Sequence, residues 1–324
     1  MKATERWNHY DQFLSAPMSQ RYLKRCYKQL NLDKNIDELS YRNCYSFIYY
    51  LEHGKRHYDL AEIAPLELQP VLQYYGMVQL IKSCLLTVDP FYPESTSLLA
   101  HGVTTRKRKK QNYLFLEDEI KIQRNGLFPY FSDQMFHMKQ LEGDKVQMNE
   151  LLGQIPEMSG LFSSIYRRSP LLEVMLLEEG NGFSIPDAIL DRLHMTFERF
   201  STFLAQQLRP AVIHTTLKHK KMEVIFADFQ SFSANNTLFK QTMDGRWYIP
   251  TSRDRFSSLH EVMNHYLVLY NLSMICRYET EWWGELFHTY SSDDYPFISR
   301  FLTISQTKIP VLLLGFLNEK RLLF

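Results

Sequence analysis

Glycine is scarce in this chain, at 12 of 324 residues, about half its average usage. The glycines that are present form none of the common phosphate-cradling motifs. No G-x-x-x-x-G-K-[ST] run exists, Gly180-Asn181-Gly182 lacks the third glycine of a dinucleotide fingerprint, and there is no G-x-S-x-G elbow. Charge of one sign is also lacking: 37 basic against 36 acidic side chains leave a net +1, too little to draw the chain to nucleic acid or acidic lipid by net charge alone. Cysteine is limited to Cys26, Cys44, Cys84 and Cys276, with no C-x-x-C pair. A chain of this length buries enough surface to need no covalent staples, so the four read as reduced core thiols of a cytoplasmic protein. The first residues lack the apolar segment of a signal peptide. The longest apolar run, Ile309 to Leu317, contains Pro310 and falls far short of the ~20 residues a membrane span needs.

What the chain does have is a dense supply of core formers, with 45% hydrophobic and 14% aromatic residues. From Glu5 to Ala100 the apolar spacing predicts four or five helices, punctuated at Pro17, Asn35-Ile36-Asp37, His53-Gly54 and Ala64-Pro65. The clearest runs from Pro70 to Val88, with Tyr74, Met77, Ile81, Cys84 and Val88 on one face and Val71, Tyr75, Val78 and Leu85 on another. Such a helix is surrounded on most sides, and Gly76 in its middle lets a neighbour come close. The period then changes. Tyr113 to Leu116 and Ile120 to Gln123 read as two strands of a hairpin about Glu117-Asp118-Glu119, and further strands are predicted over Leu171–Leu177, Ala211–Leu217, Glu223–Phe229 and Trp247–Ile249. One helix, Pro186 to Leu208 with Ser184 as its cap, interrupts them.

Ser258-Leu259-His260-Glu261 reads as a capping box opening a long, nearly all-apolar helix to Tyr278. Shorter helices are predicted over 280–288, 295–304 and 310–317. Two helices that are apolar all round, one near each end, need each other's cover. The expected fold is α+β and predominantly helical. Residues 1–111 and 253–324 would pack as one helical unit, and 112–252 would form a mixed module of β-hairpins and one long helix.

Three clusters attract chemical interest. His101-Gly102 leads into Arg106, Lys107, Arg108, Lys109 and Lys110, five consecutive cations able to hold phosphates of a nucleotide, an RNA strand or an acidic partner; a solvated loop balanced by Glu117-Asp118-Glu119 is the plainer alternative. Arg255, separated from His260 by four residues, matches the Arg-x4-6-His spacing of the HEPN ribonucleases. On that reading Arg255 would hold a phosphate and His260 would move a proton at a ribose hydroxyl; Arg253 also fits the spacing. His260 and His265 stand about 140° apart around a helix and cannot share a metal ion, so no metal is expected. Arg277 suits the end of its helix, where a cation complements the dipole. Arg277, Tyr278, Trp282 and Trp283 together form a candidate partner surface, with one indole entering the core and the other near the surface. Asp293-Asp294 reads as a helix start.

In this order, Pro70-x-Leu72-x-x-Tyr75-Gly76-Met77, His101-Gly102-Val103-x-x-Arg106-Lys107, Asn125-Gly126-Leu127-Phe128, and Leu272-Ser273-Met274-x-x-Arg277-Tyr278 with Trp282-Trp283-Gly284 resemble the bacterial YaaC-like family over nearly the whole chain. The resemblance implies a cytoplasmic bacterial protein from a family without an assigned activity, and it carries over no catalytic residues. The first functional expectation is a non-enzymatic interaction or regulatory protein working through the basic loop and an aromatic surface, without a cofactor. The alternatives are a HEPN-like RNA-binding or RNA-cutting protein using Arg255 and His260, and a phosphate-ligand or nucleotide binder at the His101 to Lys110 loop. The expected partners are an acidic protein patch or a phosphate-bearing ligand, with RNA and a second copy of the chain as further candidates and no membrane.

Overall fold

The computed structural model describes residues 7–30, 32, 35–105, 113–139, 142–208, 212–229, 236–253, 256, 259–290 and 292–322. It divides into two compact units: Met1–Leu151 with Val262–Phe324, and Leu152–Glu261. In chain order the described elements are α1 (Ala16–Gln29), α2 (Ile36–Ile63), α3 (Gln69–Val88), β1 (Val103–Thr105), β2 (Glu119–Ile122), α4 (Leu127–Phe136), β3 (Lys145–Gln147), α5 (Met148–Leu152), α6 (Ser159–Tyr166), β4 (Leu171–Leu176), β5 (Gly182–Pro186), α7 (Ala188–Leu193), α8 (Phe197–Gln207), β6 (Val212–Lys218), β7 (Lys221–Phe226), β8 (Lys240–Gln241), β9 (Trp247–Pro250), α9 (Glu261–Tyr278), α10 (Thr280–Thr289) and α11 (Asp294–Leu322). The fold is α+β and predominantly helical.

The first unit is built around α3, which starts with a proline in its first turn, a place where the missing N–H costs nothing. Tyr74, Met77, Leu80, Ile81, Cys84 and Leu85 of α3 are fully enclosed. The helix α2 runs unbroken through His53-Gly54, where the sequence suggested punctuation. A β-carbon at Gly54 would lie 2.6 Å from the Leu80 side chain, so this glycine serves close helix packing rather than a turn. At the other end of the chain, α11 is continuous through Pro310, where two separate helices were expected. Side chains of the first helices bond its carbonyls: Tyr22 Oη donates to Leu317 O at 2.8 Å and Gln73 Nε2 to Leu302 O at 3.1 Å. By length and composition the stretch Asp294–Lys320 is apolar enough to cross a membrane, and 56% of its apolar window is buried inside the structure.

The expected hairpin over 113–123 is not formed. Phe115 begins a 3₁₀ turn and is fully buried, and its N–H is taken at 3.0 Å by the carboxylate of Asp294, a residue remote in sequence. Asp118, expected in an exposed acidic turn, is buried and accepts from Tyr113 Oη (2.9 Å), Glu119 N (3.0 Å) and Asn271 Nδ2 (3.0 Å). With its amide claimed by a distant carboxylate, the first half of the segment has no ladder to join. Only β2 is a strand, paired antiparallel with β1 (Thr104 opposite Lys121) and with β3 (Ile120 opposite Val146). These bonds tie residues 113–151 to the helical unit rather than to a middle module beginning at 112.

The second unit carries a six-stranded antiparallel sheet in the order β6-β7-β5-β4-β9-β8. Phe183, Ile185, Met222, Val224, Trp247 and Ile249 form its apolar face together with Ile189, Phe200 and Leu204 from the helices. The single helix expected over 186–208 is two, because His194 adopts a left-handed conformation that closes α7, and Thr196 then caps α8 by accepting from Arg199 N. Ser184, the expected cap, lies inside β5. Ser258 of the expected capping box lies outside the described residues, and α9 begins at Glu261.

Two glycines hold the loop before β1 against the start of α4. Gly126 has φ +125° and Gly102 φ +79°, and a β-carbon on Gly126 would lie 2.4 Å from both the N and the Cα of Gly102. Gly126→Ala should therefore cost about 2–4 kcal/mol of stability, from backbone strain and overlap combined. Gly315→Ala in α11, where the space is open, should be neutral or stabilise by up to about 1 kcal/mol. Denaturant melts of the two variants measure the contrast.

Candidate functional site

His101 is placed by its own backbone. Leu127 N donates to Ala100 O at 2.7 Å and Phe128 N to His101 O at 3.1 Å, while Gln123 N donates to Gly102 O at 2.9 Å. The first free amides of α4 are thus consumed by the carbonyls of the incoming loop, which fixes the loop before any side chain acts.

On this frame sits a closed hydrogen-bond chain. His101 Nδ1 lies 2.8 Å from Tyr74 Oη, Tyr74 Oη lies 3.0 Å from Tyr266 Oη, and Tyr266 Oη donates to His101 O at 2.8 Å. Tyr74 and Tyr266 are fully buried. Burial, with Tyr266 and Tyr270 beside it, pushes the Tyr74 phenol well above its ordinary range. Tyr74 packs edge to face on the imidazole with centroids 5.4 Å apart, and Tyr270 lies tilted to it at 5.3 Å. Tyr266 and Tyr270 stand one turn apart on α9, and Arg277 follows two turns beyond Tyr270 on the same face.

Two cations, Lys82 and Arg277, act on this imidazole through their charge. Lys82, half-buried on α3, has its Nζ 5.7 Å from the Tyr50 ring centroid, and burial lowers its pKa. Arg277 is half-buried too; its Nε donates to Ser273 O at 2.9 Å and its guanidinium lies 5.3 Å from the Tyr278 ring. Burial first, then Arg277 and then Lys82, depress the pKa of His101. Neither Lys82 nor Arg277 forms an ion pair among the described residues. Half-desolvated cations with no carboxylate are costly to hold, and an anion entering their field would gain what water no longer supplies. Among the described residues no group of three His, Cys, Asp or Glu is arranged to hold a metal ion.

Of the residues singled out in the sequence, His101, Gly102 and Arg277 meet here. Arg106, Lys107, Arg108, Lys109 and Lys110 lie outside the described residues, as does Arg255. His260 is half-buried, and burial, with Lys240 nearby, pushes its pKa down to about 4. Arg253 is occupied by backbone, its Nε donating to Leu193 O at 2.7 Å and its Nη2 to His194 O. Trp283 is buried and donates to Glu67 O at 3.0 Å, whereas Trp282 is half-buried with its ring 4.8 Å from Tyr113. Tyr278 is 65% exposed.

Sequence reading missed Tyr74, Lys82, Tyr266 and Tyr270. The tyrosines sit on apolar faces and count as core by spacing. Lys82 is a lone cation in an otherwise apolar run, and that was the one signal available.

The quoted motif pieces from α3, the His101 loop, the start of α4 and the end of α9 come together at this cluster. No curated protein and no solved structure matches the chain. Residues 11–317 match the YaaC-like Protein family, and with nearly its whole length covered the chain belongs to the YaaC-like family.

Proposed function

We propose that this is a binding protein of regulatory type that holds a small phosphate-bearing ligand at the cluster of Lys82, His101 and Arg277. One observation carries the reading: His101 stands in half-buried, aromatic surroundings within the field of Lys82 from α3 and Arg277 from α9, two cations with no described counter-ion. Tyrosine rings around cations and phosphate suit a ligand with an apolar or aromatic body and an anionic end. The cationic run Arg106 to Lys110 begins only five residues after His101 in the sequence, which adds positive charge close to it along the chain. The four thiols are free, three of them buried, in keeping with a reducing compartment such as the cytoplasm.

Calorimetric titration with inorganic phosphate, phenyl phosphate and AMP tests the reading. Lys82→Met and Arg277→Met, which keep the stems and remove the charges, should each weaken binding by tenfold or more, about 1.4 kcal/mol or above. Each should leave the ligand-free protein as stable or slightly more so, because a half-desolvated charge is gone. Binding that is absent in the native protein, or unchanged in both variants, overturns the reading.

A pH dependence follows from His101. Its imidazole is held below the ordinary value of 6.5, so the unfolded chain takes up this proton more readily than the folded one. The contribution to ligand-free stability is complete above pH 6.5 and is lost as pH falls toward the lowered folded value. Thermal melts between about pH 5 and 8 should show a shallower acid decline in His101→Asn than in the native protein. Added phosphate should flatten the native curve in the same direction.

A further inference from the structure

The hydrogen-bond chain behind His101 settles more than the position of its ring. A phenol has one hydrogen to give. Tyr266 gives its hydrogen to His101 O, a carbonyl that can only accept. Tyr74, facing Tyr266 Oη at 3.0 Å, must therefore give its own hydrogen to Tyr266. That leaves Tyr74 Oη only lone pairs for His101 Nδ1 at 2.8 Å, so the neutral imidazole carries its proton on Nδ1. Nε2 is then a bare acceptor, and it bonds no described group. In the field of Lys82 and Arg277, the ring presents a lone pair, not a third positive charge.

From this geometry we infer that the site selects a phosphate monoester, or phosphate itself, in its hydrogen-phosphate form: the ligand's P–OH donates to His101 Nε2 while its anionic oxygens face Lys82 and Arg277. The inference rests on the phosphate-binding reading above and narrows it. A phosphate monoester has a second ionisation near pH 6, so close to neutrality it can take up the needed proton at a modest cost, which a bond to Nε2 offsets. Sulfate and phosphodiesters have no such proton. To bind, they must either face a lone pair or draw a proton onto His101 against the field of Lys82 and Arg277. Tyr74 from α3 and Tyr270 from α9 pack on the imidazole, Tyr266 bonds the His101 carbonyl, and Lys82 and Arg277 act on the ring through their charge; none of these is a carboxylate.

The test uses the full chain at pH 7 and four probes: inorganic phosphate, phenyl phosphate, sulfate and dimethyl phosphate. The native protein should bind the first two at least tenfold more tightly than the last two. Tyr266→Phe removes the hydroxyl that forces the direction of the chain. Tyr74 is then free to donate to Nδ1, the proton of His101 moves to Nε2, and the preference for phosphate over sulfate should shrink toward unity while sulfate affinity rises. Two-bond ¹H–¹⁵N correlation spectra report the tautomer without any ligand, and should show Nδ1–H in the native protein and Nε2–H in Tyr266→Phe. A native Nε2–H tautomer, or equal affinity for phosphate and sulfate in a protein that binds both, overturns this inference and leaves the phosphate-binding reading standing. Failure to bind any phosphate probe overturns both. A melting curve of Tyr266→Phe checks that the fold is kept; should it fail to fold, Tyr74→Phe, which removes the acceptor for Nδ1–H, must narrow the same ratio for the inference to hold.

Discussion

The contact between the backbones of Gly102 and Gly126 fixes the position of every other group at the site. Neither position tolerates a side chain, because each glycine has a positive φ, a β-carbon on Gly126 would run into the Gly102 backbone, and one on Gly102 would run into Pro129 Cδ and Phe128 N. Their contact lays the loop before β1 across the first turn of α4, where the amides of Leu127 and Phe128 are satisfied by Ala100 O and His101 O. Once that peptide is anchored, the second lone pair of His101 O is available to Tyr266, and the imidazole falls on Tyr74. Backbone packing therefore decides which hydroxyl donates to which, and hydroxyl direction in turn decides which imidazole nitrogen is left as an acceptor. Two residues in a chain poor in glycine do the work that a glycine-rich loop does elsewhere, but they position a side chain rather than cradle a phosphate on amides.

The helical elements were legible because their signals are local. Pro70 and the repeating apolar faces after it mark α3 without help from the rest of the chain. The strands β4, β6, β7 and β9 announced themselves through β-branched and aromatic runs. What failed were the places where a local signal was overruled from a distance. Phe115 has the composition of a strand residue, but Asp294 takes its amide. Gly54 has the look of a helix end, yet the close approach of Leu80 gives it a reason to sit inside one. Pro310 lies within a helix whose carbonyls are also bonded by side chains of α1 and α3, Tyr22 and Gln73. Within 186–208 the break was missed because a left-handed histidine, unlike a glycine, leaves no compositional mark.

For the site, the sequence supplied the polar half. His101, Gly102 and Arg277 stood out by charge and by context, though Arg277 was explained as a partner of its helix dipole. The aromatic half was hidden, since a buried tyrosine whose hydroxyl is part of a relay has the same spacing as one that merely fills space. Tyr74, Tyr266 and Tyr270 differ from the other core tyrosines only in where their oxygens end up. That depends on α3 and α9 meeting, a contact between residues almost two hundred positions apart.

The near-zero net charge takes on a different meaning once the cluster is in view. Overall neutrality says that surface cations and anions balance, and the described ion pairs are largely exposed ones, such as Lys55 with Asp59 and Arg246 with Asp244, worth little individually. Lys82 and Arg277 stand outside that balance. A protein selected only for stability would pair such cations with a carboxylate or replace them with apolar side chains, as the surrounding core readily allows. The Tyr50 ring near Lys82 and the Ser273 carbonyl on Arg277 return part of the cost of holding them half-desolvated, but neither supplies a counter-charge. On the phosphate-binding reading proposed above, that cost is recovered when an anion of matching protonation binds, and the destabilised groups, rather than the well-packed ones, then carry the functional information.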